Sequence, residues 1–109
     1  MTGDALIQEI NTAYRRLGAA MEDMARADRE LANHVRRVRL DNAEAILEAR
    51  NERTASLYLD GLLDTEEHRD LEAARSWAEV GLQQARFEVD RLQLIVRLLG
   101  ARAGGATRG

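Results

Sequence analysis

Cysteine, proline and lysine are all missing from this 109-residue chain. Without cysteine there is no disulfide framework, no thiolate zinc site and no thiol nucleophile. Without proline the strongest interruption of helices is gone. No apolar run approaches the ~18–20 residues that span a bilayer, and no charged-then-apolar leader opens the sequence. A cytoplasmic protein is expected, in the host cytoplasm if the chain is phage-encoded. The lack of lysine leaves every basic side chain an arginine. GC-rich codon usage accounts for that bias, although arginine also forms phosphate forks and stacks on bases better than lysine does.

Signals for catalysis are equally sparse. The sequence has no glycine-rich phosphate loop, since Gly104-Gly105 falls in the tail. His34 and His68 are the only histidines and neither has a second histidine or a cysteine at i+4, so both read as ordinary surface residues. Glu48 and Glu52 share a helical face, but the Glu-x-x-His element of carboxylate-bridged metal sites is missing. The expectation is a non-enzyme with no catalytic residues, no cofactor, no metal and no small-molecule substrate.

What is present is helical patterning. Alanine, leucine, glutamate and arginine dominate, and 32% of residues are charged, the composition of long helices and coiled coils. Near the C-terminus Leu71, Ala78, Leu82, Ala85, Val89, Leu92, Val96 and Leu99 recur in steps of three and four, interrupted only by Arg75. A second series, Trp77, Val80, Phe87, Leu94 and Leu98, keeps the same period on another face, broken by Gln84 and Arg91. One neighbour needs one stripe. Two stripes imply two neighbours, so the second series is read as an oligomer interface.

A seven-residue repeat also runs through the first half: Ile7, Ile10, Tyr14, Leu17, Met21, Met24, Leu31, Val35, Val38, Ala45 and Ala49. Asp28 and Asn42 occupy seam positions, where polar residues fix register at some cost in stability. Ala13, Ala20 and Ala27 flank this stripe and permit close helix approach. The spacing predicts a single all-α domain over 1–100, a long antiparallel hairpin resembling a coiled coil. Its helices would cover about 4–59 and 66–99, with a turn over 60–65 and a disordered tail over 101–109. Thr2 or Asp4 would cap the first helix, and Asp64 or Thr65 the second. Gly61 would close the first helix in the left-handed conformation. The pattern leaves open whether the first helix is continuous through Gly18 and Asn51. If continuous, it would reach about 80 Å against about 50 Å for the second. Residues 4–25 would then overhang, needing other subunits to cover them.

Net charge is −3, yet residues 26–39 carry Arg26, Arg29, Arg36, Arg37 and Arg39 against Asp28 and Glu30, a local +3. Arg50 and Arg53 extend the basic side towards Tyr58. Such a stripe beside an aromatic ring tracks a single-stranded backbone and stacks a base. It is equally the pattern of a solvated face with ion pairs such as Glu22–Arg26. Symmetric repetition in an oligomer would strengthen a weak patch.

From Leu40 to Gly100 the order of elements resembles the UvsY recombination-mediator family of T-even phages. The residues concerned are Glu48-Ala49-Arg50, Tyr58-Leu59-Asp60-Gly61, Thr65-Glu66-Glu67 with Arg69, and Ala73, Ala74, Ala78 and Ala85 before Leu92, Ile95 and Leu98. The resemblance implies a ring-like homo-oligomer, associating through C-terminal helices. It further implies binding of single-stranded DNA and help in loading a recombinase or annealing protein. DNA contacts would fall on Arg50 and Arg53, with Arg36, Arg37 and Arg39 upstream. This chain departs from the family in being shorter, in lacking lysine and in keeping Glu44, Glu48 and Glu52 among those arginines. A second expectation needs only the seams: a scaffold, chaperone or virion component whose partners are proteins.

Overall fold

A computed structural model describes residues 2–108, and side chains through Arg102. It is all-α, with no strand among the described residues: α1 Gly3–Asp41, α2 Ala43–Leu47, α3 Glu52–Leu62 and α4 Glu66–Arg108. None of these helices is long and apolar enough to cross a membrane. The chain divides into two compact units, Met1–Glu22 with Glu79–Gly109 (unit one) and Asp23–Ala78 (unit two).

The predicted first helix is three helices. It passes unbroken through Gly18 but stops at Asp41, where the Asn42 side-chain amide donates to the Val38 carbonyl at 2.9 Å. Such bonding to the preceding turn competes with continued helix. A second break falls before α3. Asn51 takes extended backbone, φ −161° and ψ 174°, and its side-chain oxygen accepts from the Thr54 amide at 2.9 Å, a side-chain N-cap. Gly61 lies inside α3, and no residue with positive φ is present among those described. The left-handed closure is therefore replaced by Leu63, at φ −86° and ψ −4°, whose amide donates back to Leu59 at 3.0 Å. Thr2 caps α1 by accepting from the Ala5 amide, and Thr65 caps α4 by accepting from the His68 amide, each at 3.2 Å. Asp64 instead binds Arg69 at 2.9 Å. α4 runs on from Leu99, its expected end, through Gly100 to Arg108; Gly109 lies outside the described residues.

Unit one pairs the start of α1 with the end of α4. Its core is Ala13, Val89 and Leu92, with Leu6, Ile10, Leu17 and Ile95 packed against it. The expected overhang is thus covered in part within the chain, because α1 ends early and α4 runs long. The α1 stripe divides: Ile10, Leu17 and Met24 turn inward, whereas Ile7, Tyr14 and Met21 stay exposed. Ala13 and Ala27 are buried and Ala20 half-buried. The inner face is therefore set by the alanine series together with one half of the seam.

Unit two holds the rest of α1, α2, α3 and the start of α4. Asp28 accepts from Arg75 at 2.6 Å, and His34 meets Glu67 and His68. The order of these pairs makes the two helical stretches antiparallel. Asp28 and Arg75 are the polar interruptions of the two seams, and they interrupt each other.

Candidate nucleic-acid and self-association surfaces

The five arginines singled out by the sequence all lie in unit two, and all are exposed. Arg36 donates to the Asn33 side chain at 3.2 Å. Arg36 and Arg37 line a surface cavity of about 570 Å³ with Glu30, Asn33, Glu67 and Leu71. Arg39 sits in the last turn of α1, where the carbonyl end of the helix favours a cation. Arg50 falls in the bend before α3 and Arg53 in the first turn of α3. Arg39, Arg50 and Arg53 do not join the cavity of Arg36 and Arg37.

Pairing divides the arginines of unit two, and Arg29 falls on the same side as these five. In unit two Arg26 pairs with Asp23 at 3.5 Å, Arg69 with Asp64 at 2.9 Å and Arg75 with Asp28 at 2.6 Å. The partner of Arg26 is Asp23, one turn back at i−3, in place of the expected Glu22. None of Arg36, Arg37, Arg39, Arg50 and Arg53 makes an ion pair among the described residues. Tyr58, on α3, is 41% exposed.

On α4 the two series separate as their phases require. Val89 and Leu92 of the first are buried, and Leu71, Ala78, Leu82 and Ala85 half-buried, while Val96 and Leu99 emerge near the helix end. The second series faces solvent throughout: Trp77 is exposed in unit two, and Val80, Phe87, Leu94 and Leu98 in unit one. Tyr14 accepts from the Gln93 amide at 2.8 Å, and an open apolar cavity of about 350 Å³ lies between Ile10, Ala13, Val89, Leu92 and Val96. Beside it, the Arg91 guanidinium donates to Glu88 at 2.8 Å and holds that carboxyl below its ordinary range.

The histidines differ most from the sequence reading. His34 is 6% exposed, not a surface residue, and its ring lies 5.4 Å from that of His68. The signal was in the heptads. His34 continues the series Ala13, Ala20, Ala27, and His68 stands one turn before Leu71 and seven residues before Arg75 on the inward seam. A search restricted to i+4 partners misses a pair formed between helices. Compared with family models, curated proteins and solved structures, the chain matches none.

Proposed function

We propose that this chain is a non-enzymatic, homo-oligomeric protein that binds single-stranded DNA through Arg36, Arg37, Arg39, Arg50 and Arg53. The observation that carries the reading is that these five arginines, like Arg29 beside them, are exposed and make no ion pair among the described residues, whereas Arg26, Arg69 and Arg75 in the same unit are engaged. An arginine already bound to a carboxylate must give up that fork before it takes a phosphate. Tyr58 supplies an exposed ring on which a base stacks. Self-association through Trp77, Val80, Phe87, Leu94 and Leu98 repeats the basic stretch around a closed symmetry, converting a weak patch into a strong one. The likeness to the UvsY family extends the reading to a phage recombination accessory that loads a recombinase or annealing protein.

Fluorescence polarisation with a labelled oligonucleotide across a salt series tests this. Affinity should fall linearly on logarithmic axes, with a slope of about −0.7 per phosphate contact. Absence of binding at low micromolar protein and low salt refutes the reading. A second reading, an assembly or scaffold protein with protein partners alone, is favoured by the exposed second series on α4. An oligomer by light scattering that leaves the oligonucleotide unbound selects it.

A further inference from the structure

We infer that the apolar groove between α1 and α4 in unit one receives the outer row of α4 from a second copy of this chain. Subunits then join head to tail, each giving a row and taking one. This rests on the self-association proposed above and names the surface that the second α4 series meets.

Row and groove share one length and one step. Val80, Phe87 and Leu94 stand seven residues apart on α4, all exposed. Ile7, Tyr14 and Met21 stand seven apart along the groove edge of α1, and they too are exposed. Seven helical residues rise about 10.5 Å, so each row spans about 21 Å. Tyr14, the middle of the α1 row, lines the open cavity of about 350 Å³ with Ile10, Val89, Leu92 and Val96. Phe87, the middle of the α4 row, is the most exposed of its three at 70%. Knobs-into-holes packing seats one side chain among four of the facing surface, and Ile10, Tyr14, Val89 and Val96 supply such a set. A cavity of about 150 Å³ already holds a benzene ring, so a phenyl group fits this one. The chain's own Phe87 cannot fill it, because it lies about 200° around α4 from Val89.

A second copy suits the groove better than row packed on row. Row on row leaves both grooves open and draws Gln84 and Arg91, which interrupt this stripe, into the seam. A row seated in a groove covers both apolar surfaces, and Arg91 keeps its 2.8 Å bond to Glu88 at the side. The edges complement each other in charge. Arg97 lines the groove and Asp90 follows Phe87 by three residues, and neither makes an ion pair among the described residues. Such a heterologous contact closes into a ring when its rotation allows, leaving no row or groove uncovered.

The test mixes two variants, each blocked on one side, and follows mass by light scattering and helicity by circular dichroism over a concentration series. Phe87→Glu with Leu94→Glu removes the row, and Tyr14→Glu with Val96→Glu closes the groove. Each variant alone should be monomeric where the unsubstituted chain is associated. Their equimolar mixture should reach twice the monomer mass and grow no further, because one intact row meets one intact groove. A groove variant that keeps the unsubstituted mass overturns the inference and leaves self-association through the second series standing. A row variant that keeps its mass, or a mixture that stays monomeric, overturns it as well. An unsubstituted chain that is itself monomeric overturns both readings and leaves the groove to a helix of another protein. Where the groove pair loses helicity, Val96→Lys alone, at a position 43% exposed, replaces it.

Discussion

Truncating Leu92 to alanine removes the most deeply buried large side chain, 1% exposed, from a core otherwise made of Ala13 and Val89. Three carbon atoms at ~0.8 kcal/mol per methylene-sized group set the transfer loss at about 2–3 kcal/mol. A dry cavity would add more, but Leu92 already borders the open apolar space between Ile10 and Val96. The new void joins that space, so the loss should stay near the transfer value. The control is Leu94→Ala, two residues along the same helix and 53% exposed. Urea unfolding followed by circular dichroism, repeated across a dilution series, separates the two. Leu92→Ala should lower stability by about 2–3 kcal/mol at every concentration. Leu94→Ala should matter only while the protein is associated and fade on dilution. Equal losses at all concentrations would refute the separation of the two α4 series.

Three further outcomes follow from the same structure. Phe87→Glu with Leu94→Glu should reduce the mass seen by light scattering while helicity persists, because a carboxylate buried between subunits without a partner costs several kcal/mol; an unchanged mass would remove this series from any interface. Gly61→Ala should stabilise by about 0.5–1 kcal/mol, since Gly61 lies within α3 and an added Cβ there meets nothing within 4 Å; destabilisation in a urea titration would restore the left-handed closure. A double-mutant cycle on Asp28 and Arg75, whose side chains are 50% and 41% exposed, should give a coupling of about 0.2–1 kcal/mol that shrinks with added salt.

Much of the fold was legible because it depends on period and composition. The two α4 series, Thr2 and Thr65 as caps, and the antiparallel pairing all follow from spacing and short-range chemistry. The breaks at Asn42 and Asn51 did not follow. They depend on whether an asparagine side chain bonds to the backbone or points away, a choice made by local geometry rather than pattern. Misplacing them made the first helix look far longer than its partner, although α1 and α4 are nearly equal at 39 and 43 residues, and produced the overhang that Leu6, Ile10 and Leu17 do not show. The basic residues were visible as a list, but which of them are engaged depends on rotamers and neighbours. Thus Arg26 chose Asp23, and Asp28 was taken by Arg75 from 47 residues away. The inward placing of each histidine was legible in the heptads, but their meeting depends on tertiary structure.

The Asp28–Arg75 pair bears on errors of assembly as well as on strength. Repeating seams cannot tell one heptad from the next, so sliding α4 by seven residues against α1 would preserve most apolar contacts. A slip one way sets Asp28 against Leu82 and Arg75 against Val35; the other sets Asp28 against His68 and Arg75 against Met21. Either way the slipped state loses the Asp28–Arg75 salt bridge, and Arg75 faces an apolar side chain in place of a carboxylate. A contact worth little in the correct alignment thereby raises every incorrect one, acting as a proofreading mark on an otherwise degenerate ruler.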